Sequence, residues 1–190
     1  MSRSPSKERD LTPQEVRRVY DRIGRFQDWQ AFYEGPALRE LLRSGDFASA
    51  NSVFEFGCGT GAFAAKLMTI MSADCRYVGI DVSPKTTRLA TSRLKPWAAR
   101  ATVELSDGSA VLSEADSAFG HFVSNYVFEL LSPDCAAKIL AEAHRILSSK
   151  GRLCLVSLGC GTSGFAGLLT ALWGGHMEME ALMRGWLPPD

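Results

Sequence analysis

Acidic, amide and glycine residues stand where four apolar runs of this chain end. Glu55 closes the first run and Asp81 the second, while Asp107-Gly108 follows the third and Asn125 the fourth. Because the carboxyl ends of parallel strands meet at one edge of a sheet, where ligands of open α/β folds bind, these residues are expected to share one pocket. A carboxylate after the second strand can accept the hydrogen bonds of a ribose diol, and an acid after the third can accept one from an adenine amino group. The spacing predicts a pocket for an adenosine-containing cofactor.

A glycine-rich turn follows the first acid at once. Residues 53–61 read Val-Phe-Glu-Phe-Gly-Cys-Gly-Thr-Gly, and an amphipathic stretch comes next. Glycine has no Cβ, so Gly57, Gly59 and Gly61 can hold φ > 0 and let a ligand lie against the main chain. The helix that follows offers unpaired N–H groups in its first turn. These three glycines and Cys58, which lies between them, are therefore predicted to support the cofactor.

The elements that position these residues alternate between strand and helix. Strands are predicted at 52–56, 76–81, 101–105, 120–124 and 152–158, and helices at 12–23, 36–45, 62–71, 83–96 and 133–147. Nearly continuous apolar strands separated by helices indicate a parallel sheet that is covered on both faces. The predicted fold class is α/β, a Rossmann-like, doubly wound parallel sheet of about five strands with N-terminal helices.

The domain organisation follows from shifts in composition. The sequence predicts a disordered arm at 1–10, an N-terminal helical cap at 11–50, the cofactor-binding α/β domain at 51–158 and a helical segment at 159–190. The polar arm has no signal-peptide core, and no apolar run is long enough for a membrane span. No β-branched run follows residue 158, so no sixth strand is predicted there.

Composition excludes several classes of function. Lys and Arg together number 21, as do Asp and Glu, and this balance argues against a nucleic acid held by bulk charge. The five cysteines form no Cys-x-x-Cys pair and are interpreted as reduced thiols of a cytoplasmic protein. His121, His144 and His176 lie in different elements and are interpreted as surface or helix-end residues, so no metal site is predicted.

Taken together, these motifs resemble those of the class I S-adenosylmethionine-dependent methyltransferases, in particular the small-molecule and lipid-methylating group that includes the ubiquinone/menaquinone C-methyltransferases. The matching segments lie at 53–61, 78–83, 103–108, 122–126 and 147–153. The resemblance implies S-adenosyl-L-methionine as the cofactor. It implies that the glycine turn supports the methionine moiety, that Asp81 holds the ribose, and that Asp107 with Gly108 contacts adenine. It also suggests Tyr20 and Phe26 as a cover over the cofactor.

The sequence departs from this family after the fifth strand. The family's sheet ends in an antiparallel hairpin, and this chain is expected to be truncated before it. The acceptor is expected to be a small molecule or lipid-like, because Asn125-Tyr-Val-Phe replaces the Asn-Pro-Pro-Tyr signature of amide and base methyltransferases. No residue identifies itself as a general base; Asn125, Tyr126 and Glu129 are the candidates near the fourth strand end.

Two other functions fit parts of the pattern. Gly57-x-Gly59-x-x-Ala62 with Asp81 also fits a dinucleotide fingerprint, which would make the protein an NAD-dependent oxidoreductase. The acid at position 55 and the absence of a Tyr-x-x-x-Lys pair count against it. A non-catalytic binding module is the second alternative. Its dimer face would comprise the apolar residues Leu168, Leu169, Leu172, Trp173 and Trp186.

Overall fold

The computed structural model describes residues 27–157, with side chains from residue 35 onward. The chain divides after Ser157 into two units, and the described residues belong to the first. The predictions for the N-terminal arm, the first helix with Tyr20 and Phe26, the C-terminal helical segment and the missing hairpin lie outside the described residues. None of the described helices is both long and apolar enough to cross a membrane.

In the described part of the chain, five parallel strands form a single sheet in the order β3-β2-β1-β4-β5. Their bounds are Ser52–Phe56 for β1, Arg76–Asp81 for β2, Ala101–Leu105 for β3, Phe119–Asn125 for β4 and Leu147–Val156 for β5. The strand order reverses between β1 and β4, so the crevice of a doubly wound sheet opens at the carboxyl end of β1. The predicted fold class is confirmed, and Glu55, Asp81 and Asn125 all lie at that edge.

Within residues 27–157, four α-helices accompany the sheet: α1 is Gln27–Ser44, α2 is Ala62–Ile70, α3 is Pro84–Leu94 and α4 is Pro133–Ile146. Two of them begin as local sequence chemistry dictates, with a serine cap followed by proline in the first turn. Ser83 accepts from the Thr86 N–H at 3.4 Å, and Ser132 accepts from the Cys135 N–H at 3.2 Å. One prediction was wrong: Pro36 lies inside α1 and does not begin it.

The fifth strand also differs from its prediction. It begins at Leu147, directly after α4, and ends at Val156. Its register against β4 shifts between the Phe119–Leu147 pair and the His121–Arg152 pair. The intervening residues bulge out of the ladder, and because a bulge carries no apolar pattern the sequence indicates only the regular part of the strand.

Strand residues alternate between the two faces of the sheet and so feed two apolar clusters. Val53, Tyr77 and Val123 pack with Phe63 and Leu67 of α2 on one face. On the other face the buried residues are Phe54, Val78, Leu112, Phe119, Phe122, Ile139, Ala143 and Ile146. A fully buried side chain of this size contributes about 1.5–3 kcal/mol, so burial of this kind fixes the layers that hold the carboxyl edge in place.

His121 corrects the expectation of a surface histidine. It lies in β4 with 5% of its surface exposed, and its Nε2 lies 3.0 Å from the carbonyl oxygen of Gly45, just after α1. Nε2 therefore carries the proton and donates, and the ring packs against Phe47 with centroids 5.3 Å apart. Burial lowers the pKa of His121, because the charged ring would lose its hydration. The neutral imidazole thus links α1 to the sheet.

This histidine predicts an acid-sensitive contribution to stability. A lowered pKa in the folded state means that the unfolded chain binds the proton more readily, so stability is lost as pH falls below the ordinary value of 6.5. In urea unfolding between about pH 7.5 and pH 5.5, His121→Gln, which keeps a donor for Gly45, should reduce this loss. The exposed His144→Gln is the control. Equal pH dependence in wild type and His121→Gln would contradict the assignment.

Candidate active site

The glycine turn has the backbone that its sequence predicts. Gly57, Gly59 and Gly61 have φ values of 76°, 53° and 71°. A Cβ at Gly61 would lie 3.0 Å from the Cα of Ala90 on α3, and one at Gly57 would collide with Val127. Glycine is therefore required at both positions by conformation and by space.

The amide groups of the turn are already engaged with protein acceptors. Gly57 and Cys58 both donate to the carbonyl of Ile80 at 2.9 Å, and Gly61 donates to the carbonyl of Cys58 at 3.0 Å. Gly59 donates to Oδ2 of Asp81 at 2.8 Å. The turn therefore offers a ligand bare surface at these residues and not free donors. The α2 helix that follows has Gly61 as its N-cap, with no side-chain cap.

Asp81 is buried, with 4% of its surface exposed, and its carboxylate is almost fully used within the protein. Oδ1 accepts from the Ser83 N–H at 2.9 Å and from the Thr86 hydroxyl at 2.7 Å, and Oδ2 accepts from Gly59. An ionised carboxylate has about four acceptor positions, so one remains on Oδ2. One ribose hydroxyl can donate to that position. Hydrogen bonds to both ribose hydroxyls would require one of the three protein hydrogen bonds to Asp81 to open.

Glu55 lies near the carboxyl end of β1 and is fully buried. The Tyr77 hydroxyl donates to its Oε2 at 2.6 Å, and the Asn125 amide donates to its Oε1 at 3.4 Å. Burial, as the largest cause, raises the pKa of Glu55 to about 7 against the opposing effect of these two bonds. The Oδ1 of Asn125 is buried without a partner among the described residues. An unpartnered buried acceptor beside a carboxylate suits an N–H donor from a ligand.

Cys58 is predicted as a cofactor residue, but the structure turns its side chain inward. The thiol is buried, and burial raises its pKa well above the ordinary value, so it is not a reactive thiolate. Its Cβ lies 3.0 Å from where a Cβ at Gly79 would stand. Cys58 therefore shapes the turn through its backbone and its packing.

Asp107 and Gly108 follow β3 in an exposed turn. Asp107 accepts from the Ser109 N–H at 2.7 Å, Gly108 donates to the Ser106 hydroxyl at 3.1 Å, and Gly108 has a φ of 84°. These hydrogen bonds are local and do not connect the pair to Glu55 or Asp81. The pair remains a predicted adenine contact on the β3 side of the edge.

The three candidates for a general base occupy different environments. Asn125 belongs to the Glu55 group. Tyr126 has a φ of 56°, which is unusual for an aromatic residue, and its N–H donates to Val156 at 2.7 Å. Glu129 is exposed and accepts from the Ser157 hydroxyl at 2.8 Å. These contacts single out none of the three as a base.

Sequence reasoning missed the partners of the two carboxylates. Tyr77 donates to Glu55 and Thr86 donates to Asp81, although each residue is separated from its partner along the chain. Gly79 lies beside Glu55 in the strand ladder. Strand register and helix position bring these residues together. A tyrosine within an apolar strand, followed two residues later by glycine, was the available signal. A buried tyrosine hydroxyl usually has a hydrogen-bond partner, and a strand glycine often marks a close approach.

The electrostatics of the turn are acidic. Two carboxylates, those of Glu55 and Asp81, lie beneath it. The cation in hydrogen-bond contact with the turn in the described part of the chain is Arg93, which donates to the carbonyl and hydroxyl of Thr60 at 2.6 and 2.7 Å. No group of histidine, cysteine and acidic residues suited to a metal ion occurs among the described residues.

The turn makes a prediction about stability. Gly57→Ala and Gly61→Ala should each lower the free energy of unfolding by about 1–3 kcal/mol, because both impose a positive φ on alanine and a contact with Val127 or Ala90. Gly120→Ala is the control, since its Cβ would meet nothing closer than 3.5 Å. Chemical unfolding measures all three. A Gly61→Ala chain as stable as Gly120→Ala would show that the turn is less constrained than described.

Comparisons with known proteins agree on one fold. A family model described as "Methyltransferase domain" matches residues 53–151. No curated protein gives a significant match. Among solved structures, the [4+2]-cyclase SpnF is 19% identical with a TM-score of 0.66, and the match covers 80% of this chain and 62% of SpnF. This chain therefore spans less than two thirds of SpnF.

Two further structures are similar at comparable levels. A SAM-dependent methyltransferase from Aquifex aeolicus is 16% identical with a TM-score of 0.57, over 80% of this chain and 77% of that one. Phosphoethanolamine N-methyltransferase 1 from Haemonchus contortus, in complex with phosphoethanolamine and S-adenosylhomocysteine, is 16% identical with a TM-score of 0.63. That match covers 82% of this chain and 36% of the other. At such identities the likeness is one of fold.

Proposed function

The chain belongs to the methyltransferase domain family, and from this premise we propose that it binds S-adenosyl-L-methionine and transfers its methyl group to a small-molecule or lipid-like acceptor. S-adenosyl-L-methionine is the cofactor of this class. When bound, it supplies an electrophilic methyl group on a sulfonium, so the protein has to bind it, orient the acceptor and exclude water.

The main support for this proposal is the acidic charge of the two carboxylates beneath the glycine turn. A dinucleotide pyrophosphate needs free N–H donors at such a turn. Here the amides of Gly57, Cys58, Gly59 and Gly61 donate to protein oxygens, and two carboxylates lie nearby. A carboxylate repels phosphate and attracts a cation, and S-adenosyl-L-methionine carries a sulfonium and an ammonium group. The site therefore favours this cofactor over NAD.

The residues present fit such a cofactor. We propose that Asp81 accepts from the ribose through the free position on Oδ2, and that Asp107 with Gly108 contacts the adenine. The methionine moiety would lie against Gly57, Gly59 and Gly61, with Glu55 and Asn125 on its cationic side. The buried Oδ1 of Asn125 supports that placement, because it has no partner within residues 27–157 and an ammonium group would supply a donor.

The acceptor class rests on the segment after β4. Asn125 is followed by Tyr126, Val127 and Phe128, which lack the two prolines of amide and base methyltransferases. Tyr126 and Phe128 are half-buried and would flank an apolar or aromatic acceptor. The ubiquinone/menaquinone-type subgroup remains a proposal within this class.

Cofactor binding is the first test. Isothermal titration should give saturable binding of S-adenosyl-L-methionine and none of NADH, because two carboxylates lie beneath the turn and the amides of Gly57, Cys58, Gly59 and Gly61 already donate to protein oxygens. Methyl transfer is then followed with labelled cofactor and a panel of small and lipid-like acceptors. Saturable binding of NADH alone would overturn the proposal. Cofactor binding without transfer to any acceptor would favour a binding module or another reaction, since a cyclase shares this fold.

Asp81→Asn tests the ribose contact. Removing the charge should weaken binding of S-adenosyl-L-methionine by about 1.5–3 kcal/mol, roughly a factor of 10 to 150, which is the range for hydrogen bonds to charged groups. The exposed Asp74→Asn is the matched control, and circular dichroism checks that each variant is folded. An unchanged dissociation constant in folded Asp81→Asn would count against the ribose role.

A further inference from the structure

We propose that Tyr77 is a positioning residue of the cofactor site: its hydroxyl holds the Glu55 carboxyl toward Asn125, so that binding of the cationic cofactor drives a proton off Glu55. This inference rests on the proposed function. It concerns one buried group of three side chains on three neighbouring strands, with Glu55 on β1, Tyr77 on β2 and Asn125 on β4.

Strand register makes the contact between Tyr77 and Glu55. Glu55 lies beside Gly79 in the ladder between β1 and β2, and Tyr77 precedes Gly79 by two residues on the same face. The tyrosine side chain therefore has to pass over position 79 to reach the carboxyl. A Cβ at Gly79 would stand 2.5 Å from the Tyr77 hydroxyl and 3.0 Å from the Cβ of Cys58. Glycine at this position opens the path for the hydroxyl.

The groups that face Glu55 leave it poised between two protonation states. The Tyr77 hydroxyl and the Asn125 amide favour the carboxylate, whereas burial and the negative charge of Asp81 favour the acid. Cys58 also faces Glu55, and burial raises the pKa of both Cys58 and Tyr77, so both remain neutral near pH 7. With these influences combined, the pKa of Glu55 is about 7.

Asn125 can form a hydrogen bond with Glu55 in either protonation state of the carboxyl group. Its amide nitrogen donates to the Glu55 carboxylate at 3.4 Å, and its Oδ1 then has no partner in the part of the chain that the structure describes. When Glu55 is protonated, the new O–H needs an acceptor, and rotation of the amide by half a turn presents Oδ1 to it. A ligand bearing an ammonium and a sulfonium favours the carboxylate, so a proton leaves Glu55 for solvent when the ligand binds.

Coupling between cofactor binding and proton release from Glu55 predicts how the affinity changes with pH. Below the pKa of Glu55, binding has to displace a proton, so the affinity for S-adenosyl-L-methionine should rise with pH and level off above about pH 7. S-adenosylhomocysteine has the same ammonium and carboxylate groups but a neutral sulfur. Its affinity should therefore depend less on pH.

The experiment is isothermal titration with both ligands from about pH 5.5 to pH 8.5, in buffers of different ionisation enthalpy to count released protons. Wild type should bind S-adenosyl-L-methionine about 30-fold more tightly at the upper limit than at the lower, with proton release. Tyr77→Phe removes a donor to the carboxylate, so its midpoint should move upward by about half a pH unit or more. Glu55→Gln should abolish the ligand-specific part of the pH dependence.

Two matched glycine variants test the path of the hydroxyl. Gly79→Ala should reproduce the midpoint shift of Tyr77→Phe, because its Cβ displaces the hydroxyl, and Gly120→Ala should not. The pH dependence of stability is also measured, without ligand. The raised pKa of Glu55 predicts a contribution to stability that is lost as pH rises from about 4.5 to about 7. It opposes the contribution of His121, so the stability of wild type relative to Glu55→Gln should fall over this range.

The outcomes separate this inference from the function on which it rests. Binding with an unmoved midpoint in Tyr77→Phe would give Tyr77 a structural role only and overturn the inference, as would an unchanged pH dependence in Glu55→Gln. Absence of S-adenosyl-L-methionine binding by wild type at every pH would overturn the proposed function itself. A shifted midpoint in Tyr77→Phe and Gly79→Ala, with proton release in wild type, supports the positioning role.

Discussion

Burial of two carboxylates at the carboxyl edge of β1 and β2 is the constraint on which the rest of this site depends. A buried charge is costly unless protein groups replace its hydration, and here the replacements come from distinct elements. Asp81 takes hydrogen bonds from Gly59 in the turn and from Ser83 and Thr86 around the start of α3. Glu55 takes them from β2 and β4. The polar network thus fixes the turn and the crevice.

This arrangement explains why the turn differs from a phosphate-binding loop of similar sequence. Both kinds of turn use glycine to bring the backbone close to a ligand. In this protein the amides of Gly57, Cys58, Gly59 and Gly61 donate to Ile80, Cys58 and Asp81, and two buried carboxylates lie at the same edge of the sheet. The same sheet topology can serve several chemistries, so the charge and hydrogen bonding of the edge distinguish them more sharply than the strand order does.

The sequence was sufficient where structure is decided locally. The bounds of β1, β2 and β3 agree with prediction, because apolar runs ended by glycine or a serine cap mark them within a few residues. It was insufficient where distant parts of the chain decide. His121 is buried because it bonds to Gly45, and β5 begins early because β4 pairs with residues beyond its apolar run. The Tyr77–Glu55 contact depends on strand register, which no single segment encodes.

The two ends of the proposed cofactor are linked through Asp81. Its Oδ2 holds the amide of Gly59, the central glycine of the turn, and also carries the acceptor position that remains for a ribose hydroxyl. A ribose that requires more than this position has to displace a bond from Gly59, Ser83 or Thr86. Displacement at Gly59 would alter the turn against which the methionine moiety lies, whereas displacement at Thr86 would alter only α3. The hydrogen bond from the Thr86 hydroxyl to Asp81 can therefore open without disturbing the turn.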